Sequence, residues 1–162
     1  MLTQERLKHL LDYDKNTGLF TRKVRTVNSV RVGDIAGGIN QLGYRAISID
    51  NKIYLAHRLV WLYMYGVFPE KDTDHINMDR ADNRLCNLRT ATRSQNMRNT
   101  GLRANNTTGV KGVSIYRGKF KAQINDGAKV IVIGVFDTIG SAKMAYESVA
   151  KDIGGEYYRA TT

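Results

Sequence analysis

Cysteine, proline and histidine are scarce in this chain: Cys86, Pro69 and three histidines are all that 162 residues contain. A single cysteine excludes an intramolecular disulfide, and with it the paired-cysteine zinc knuckle that many small nucleic-acid enzymes use as a staple. Any bound metal must then be held by oxygen and nitrogen atoms, and no structural zinc is expected. Long hydrophobic runs are missing too. No stretch approaches the roughly 18 apolar residues that span a bilayer, and Leu2-Thr3-Gln4-Glu5-Arg6 lacks the basic-then-apolar order of a signal peptide. A folded, soluble, intracellular protein with no membrane partner is expected.

Negative charge is the other deficit. Fifteen acidic residues face 25 basic ones, a net charge of +10, and such an excess points to a polyanionic partner. Residues 1–100 hold 16 basic and 10 acidic side chains and residues 101–162 hold 9 and 5, so both halves are expected to touch the polyanion. Lysine is absent between Lys71 and Lys111, where the basic residues are Arg80, Arg84, Arg89, Arg93, Arg98 and Arg103. Arginine's planar fork suits bidentate phosphate contact better than a lysine point charge does.

What is present reads as α+β. Leu7, Leu10 and Leu11 fall at helical spacing within residues 3–13, with Thr3 as N-cap. Leu19 to Val24 reads as a strand and Gly33 to Gly38 as a loop. Tyr44 to Ile49 and Ile53 to Leu55 flank Asp50-Asn51-Lys52, a hairpin signal. Ala56 to Tyr65 is predicted helical and core-forming, through Leu59, Val60, Leu62, Tyr63 and Met64, and it ends at Gly66. His57, at its start, reads as a cap or core hydrogen-bonder in preference to a ligand, and Cys86 as a small buried residue.

The densest constellation is Asp74-His75-Ile76-Asn77-Met78-Asp79-Arg80, continuing through Asp82-Asn83-Arg84, Asn87-Leu88-Arg89 and Ser94-Gln95-Asn96-Met97-Arg98-Asn99. Thr73 to Ile76 and Asn87 to Ala91 read as two strands around a polar loop. A helix follows from Ser94, capped by Thr92 or Ser94. A hairpin followed by a helix can bring two ligands to one metal. Arg84 and Arg89 have two readings, as phosphate contacts or as partners of Asp79 or Asp82.

Residues 100–109 are small and polar and make the best linker. The expected division is a first domain over residues 1–100, a linker over 101–108 and a second domain over 109–162. In the second, Val113 to Tyr116, Lys119 to Asn125 and Val130 to Val135 are predicted strands, followed by a helix over Ser141 to Ile153. Phe120, Ala122 and Ile124 alternate with Lys119, Lys121, Gln123 and Asn125. If the helix covers the apolar face, a basic, amide-bearing face is left for DNA: cations meet phosphates and amides read base edges. Lys111 and Tyr116 are counted with that surface.

The residues quoted around Asp74, together with Ala56-His57-Arg58-Leu59-Val60-Trp61, resemble the phage and intron-encoded HNH homing endonucleases over roughly residues 40 to 100. The tail, with Gly109-Val110-Lys111-Gly112-Val113, Gly118 to Ile124 and Ile133 to Thr138, resembles the AP2 DNA-binding domain. The resemblance implies a ββα-metal nuclease with an AP2-like sheet and helix behind it, acting on double-stranded DNA in a phage-infected or bacterial cell. It implies Asp74 and Asn96 as ligands of one Mg²⁺ or Mn²⁺, His75 as general base and Asn87 as the residue that braces the hairpin. Arg80, Arg84, Arg89 and Arg93 become candidate phosphate contacts. Asn96 departs from the histidine that the last letter of the family name denotes, and matches the asparagine of one branch. No protein partner is required, and a monomer or weak dimer is expected. The alternative is a DNA-binding protein whose nuclease segment is an inactive scaffold.

Overall fold

The computed structural model describes the chain except Asn28, Ser94, Met97–Asn99, Arg103, residues 158–162 and the side chain of Glu156. The architecture is α+β, and the chain divides into two compact units, Met1–Ala91 and Thr92–Thr162.

The first unit opens with α1 (Gln4–Leu10), whose N-cap Thr3 accepts from the Arg6 backbone. The helix stops earlier than its leucine spacing predicts. Leu11 begins strand β1 (Leu11–Asp14), where Leu11 and Tyr13 are buried and Asp12 and Asp14 exposed. That two-residue alternation allows the segment to pair with β2 (Leu19–Arg22) in a hairpin. Pairing takes precedence over helix extension at Leu11.

The stretch expected as a glycine-rich loop is partly ordered into the sheet: Ile35 bridges Thr21, and β3 (Gly38–Ile39) joins β4 (Arg45–Ile49) and β5 (Lys52–Leu55). Asp50 and Asn51 both have positive φ, as a two-residue primed turn requires. Helix α2 (Ala56–Tyr65) has the expected limits and ends on Gly66 in the left-handed conformation. It packs on α1, β4 and β5. One apolar cluster holds these elements together, with Leu7, Phe20, Ile47, Leu59 and Val60 fully enclosed.

Strand β6 (Asp72–His75) pairs antiparallel with β7 (Leu88–Ala91), placing His75 opposite Leu88 and Asp74 opposite Arg89. A short 3₁₀ turn, Leu85–Asn87, precedes β7. It turns Asn87 inward and leaves Cys86 exposed, which corrects the expectation of a buried cysteine. The β1–β2 turn is pressed against this region. Gly18 has φ +73, and a Cβ there would meet the Asn83 carbonyl carbon at 2.6 Å, so only glycine fits.

The second unit begins at Thr92, ahead of the 101–108 segment read as the linker. Asn106 and Thr108 order part of that segment: Asn106 Oδ1 accepts from the Thr108 and Gly109 backbone, and Thr108 Oγ1 donates to the Val113 carbonyl. Strands β8 (Val113–Tyr116), β9 (Lys119–Asn125) and β10 (Val130–Phe136) form an antiparallel sheet with β9 in the middle. Helix α3 (Ile139–Gly154), capped by Thr138, lays Ala142, Tyr146, Ala150 and Gly154 against it. Among the described residues no helix is long and apolar enough to cross a membrane.

Candidate functional site

The site residues of the first unit are polar and nearly all enclosed. Among the described residues, Asp74, His75, Asn83 and Asn87 are its buried polar side chains, together with His57. Buried polar groups cost free energy unless hydrogen-bonded, so the network that satisfies them is specific.

His75, 4% exposed, ends β6 and faces Asn83, which has no exposed surface. The His75 Nε2 to Asn83 Oδ1 distance is 3.2 Å, and Asn83 Nδ2 donates to the Ala81 carbonyl at 2.9 Å. Because the amide nitrogen is committed to Ala81, the oxygen is the acceptor towards His75. Nε2 therefore carries the imidazole proton and Nδ1 the lone pair, the form a general base needs. Burial holds the His75 pKa below its ordinary value, against the opposing pull of the Asn83 bond and of Asp74, Asp79 and Asp82. The ring is neutral at neutral pH.

Asn83 is itself anchored from the β1 side. The Tyr13 hydroxyl donates to the Asn83 carbonyl at 2.9 Å and accepts from the Leu85 backbone at 3.0 Å. Burial raises the Tyr13 pKa to about 12, so the hydroxyl keeps its proton. The N-terminal hairpin thus supports the orientation of His75 through one asparagine.

Asn87 closes the loop. Its Oδ1 accepts from the Asn77 backbone at 3.0 Å, and its Nδ2 donates to Asn77 Oδ1 and to the Asp82 carbonyl, both at 2.9 Å. Asn77 Nδ2 in turn donates to Asp82 Oδ2. The Asn87 backbone carbonyl accepts from the N–H of Ile76, the residue after His75. Asn87 thus ties both ends of the loop to the strand that carries the histidine.

Asp74 is ion-paired: Arg89 Nε and Nη2 lie 3.0 and 2.9 Å from its Oδ2. The pair sits at facing positions of the hairpin, and both side chains are mostly buried. Of the two readings for Arg89, a structural salt bridge is what is found, with Asp74 as partner. Arg84 is likewise paired, through Nε and Nη2, to Asp82. That contact holds the Asp82 carboxyl at about 2, well below the usual carboxylate range. Arg80 is exposed, lies 5.0 Å over the Tyr44 ring and donates to the Leu42 carbonyl.

His57, Tyr44 and His75 form one ring cluster. The two imidazoles meet edge to face at 5.1 Å, and Tyr44 lies 5.2 Å from His57 and 5.9 Å from His75. Burial, then the charges of His75 and Arg58, lower the His57 pKa to about 4. Its Nδ1 is buried with no hydrogen-bond partner among the described residues. His57 is therefore a neutral wall against which His75 rests, and not the cap that its position suggested.

The carboxylate that the sequence offers a metal, Asp74, has its Oδ2 bonded to Arg89. Among the described residues no group of three or more His, Cys, Asp or Glu converges. A carboxylate with an amide is a hard oxygen donor set, compatible with Mg²⁺ or Mn²⁺ and not with thiolate zinc, provided that substrate and water complete the shell. Asn96 belongs to the second unit, in a helical turn that opens with a capping box. Thr92 accepts from Gln95 N, Gln95 Oε1 accepts from Thr92 N, and Asn96 N donates to the Thr92 carbonyl. Arg93 is exposed on that turn, and Ser94, Met97, Arg98 and Asn99 of the motif lie outside the described residues.

On the sheet of the second unit, Lys121 Nζ and the Arg117 guanidinium flank the Tyr116 ring at 5.5 and 5.2 Å. Lys119 pairs with Asp137 at 2.7 Å, both exposed. Lys111 Nζ donates to the Thr100 carbonyl at 2.6 Å. Gln123 lies on the face away from the helix. Asn125 uses its Oδ1 to accept from Gly127 N at 2.8 Å, so it shapes the β9–β10 turn.

In the sequence Asn83 is one member of the Asp82-Asn83-Arg84 pattern with no role of its own, and His57 reads as a cap or core hydrogen-bonder. Both act through contacts between elements distant in sequence. The signal available for Asn83 was its place in Asp82-Asn83-Arg84, within the loop between the two strands.

Residues 54–98 match the HNH endonuclease family model. The matched segment runs from the end of β5 through α2 and the β6–β7 hairpin. No curated protein matches the chain at a significant level. A solved structure of DNA binding and cleavage by the HNH homing endonuclease I-HmuI is similar at 18% sequence identity, over 83% of this chain and 75% of that one, with a TM-score of 0.42.

Proposed function

We propose that this protein is a metal-dependent endonuclease of double-stranded DNA, with the HNH segment as its cutting site and the second unit, on the AP2-type plan, as its DNA reader. The observation that carries the reading is the Asn83–His75 contact, which fixes a buried, neutral imidazole in one tautomer. Hydrolysis of a phosphodiester needs a base for the attacking water, and a neutral imidazole supplies one. Asp74 and Asn96 are the protein ligands proposed for one Mg²⁺ or Mn²⁺. Such an ion, when bound, stabilises charge on the phosphoryl and departing 3′ oxygens.

In this scheme His75 takes the water's proton at Nδ1 and passes it to solvent, while Asn83 holds Nε2–H. Asn87 keeps the loop closed around them. Arg80, Arg84 and Arg93 are proposed phosphate contacts. Arg89 has a different role: its fork holds the Asp74 carboxylate in one orientation.

The same ion pair is the observation that favours the second reading, a DNA-binding protein with an inactive nuclease scaffold, since it satisfies Asp74 without metal. A supercoiled plasmid decides between them. Nicking or linearisation that requires Mg²⁺ or Mn²⁺ and stops with a chelator is the expected result; binding without cutting in every divalent metal would leave the scaffold reading.

A further inference from the structure

The solvent face of the second unit's sheet carries more apolar surface than a lysine-and-amide face should. Val130, Val132 and Val135 stand on it at 56, 59 and 47% exposure. Simple alternation would not put Val132 and Val135 on one side. A register shift between Val132 and Gly134 does so: Val132 pairs with Gln123, Gly134 with Ala122 and Val135 with Lys121. Ile131 and Ile133 fall on the covered side by ordinary alternation, and the shift brings Phe136 to the same side, where all three pack with Ala122 and Ile124. The bulge therefore adds Val135 to the face that Val130 and Val132 already share, and keeps Phe136 with the isoleucines in the core.

Each exposed valine has a polar cross-strand neighbour: Val130 with Asn125, Val132 with Gln123, and Val135 with Lys121. Charge says what this face meets. Residues 111–136 contain Lys111, Arg117, Lys119, Lys121 and Lys129 against the single acid Asp126, whereas α3 balances Lys143 and Lys151 with Glu147 and Asp152. The positive excess lies on the sheet and not on the helix that backs it. A two-stranded ribbon fits the DNA major groove, where adenine presents N7 and N6 to an amide and thymine presents a 5-methyl group to apolar side chains. Gln123 beside Val132 is complementary to that pair of edges, and a G·C pair offers no methyl.

We propose that this sheet face selects A·T base pairs, with Val130, Val132 and Val135 contacting thymine 5-methyl groups, Gln123 reading adenine, and Lys119, Lys121 and Arg117 contacting the flanking phosphates. The proposal rests on the second unit being the DNA reader. Within it Asn125 shapes the hairpin tip, because its oxygen is already bonded to Gly127.

Replacing thymine by uracil removes only the methyl group, so the test uses three duplexes of equal length: alternating dA–dT, alternating dA–dU and alternating dG–dC. Binding of the full chain is measured with Ca²⁺ in place of Mg²⁺. The expected dissociation constant rises by roughly 15- to 60-fold from dA–dT to dA–dU, since each buried methyl contributes roughly fourfold and two or three are in contact. It is weaker still on dG–dC. In V130S/V132S, whose fold is checked by circular dichroism, the dA–dT to dA–dU ratio falls towards one. Equal wild-type affinity for dT and dU duplexes would overturn the proposal, as would a ratio unchanged in the variant. Failure to bind any of the three would overturn the DNA-reader reading itself, and the proposal with it.

Discussion

The two units carry their functional side chains in opposite states. In the first, Asp74, His75, Asn83 and Asn87 are buried and tied to one another or to the backbone. In the second, lysines, a glutamine and valines stand on an open sheet face, and what holds them is the strand pairing beneath. A base that must accept a proton from one water needs its tautomer and direction fixed in advance, and burial supplies both at a cost in desolvation. A surface that must meet a long polyanion needs reach and solvent exposure. Damage to the first unit should therefore appear in stability and in cutting, and damage to the second in affinity and salt dependence.

The contrast breaks most sharply at Arg89. Arg89→Ala would leave Asp74 buried beside a gap, and losing one partner of a buried ion pair costs about 3 to 5 kcal/mol of unfolding free energy. Urea titration measures it; a loss below about 1 kcal/mol would mean that the pair is not structural. Acid is the next lever. His57 is depressed to about 4 from an ordinary 6.5, so between those values the unfolded chain binds more protons than the native one. Stability should hold above pH 6.5 and fall by on the order of 3 kcal/mol as the pH drops to 4. His75, lowered by the same burial, adds to the loss with the same sign. His57→Phe should flatten the slope, and a wild-type slope in that variant would contradict the account.

Asn83→Ala should cost roughly 1 to 3 kcal/mol, because the imidazole N–H loses its acceptor inside the protein. It should also slow cutting by about a hundredfold through misorientation of His75. Undiminished cutting would remove Asn83 from the site. The smallest effect belongs to the open face: Lys119→Ala with Lys121→Ala should leave stability within about 0.5 kcal/mol. Affinity should fall several-fold and the salt slope should drop by about 1.8. An unchanged slope would show that these lysines do not meet phosphate.

How much was legible follows from how local each feature is. Helix α2 is legible to the residue because its apolar spacing lies within it and its stop signal, Gly66, directly follows it, and the β4–β5 and β6–β7 hairpins are readable from turn residues between β-forming runs. Leu11 was misread because a leucine triplet suits a helix, whereas pairing with Arg22 is a tertiary fact. Cys86 was misread because the direction of a 3₁₀ turn leaves no periodic trace. The Asn83–His75 contact depends on Tyr13 holding the loop from a strand far away in sequence. Val135's place beside Val130 and Val132 is hidden by a bulge, since plain alternation puts Val132 and Val135 on opposite faces.

In the proposed division of labour the buried site cuts and the open face holds. His75→Ala, assayed for both activities in one sample series, tests it most directly: plasmid cleavage in Mg²⁺ by gel, and DNA affinity in Ca²⁺ by mobility shift. Cleavage should fall by about a hundredfold or more with the dissociation constant within about twofold of wild type. Cleavage that survives the substitution, or affinity that collapses with it, would contradict the division of labour between the units.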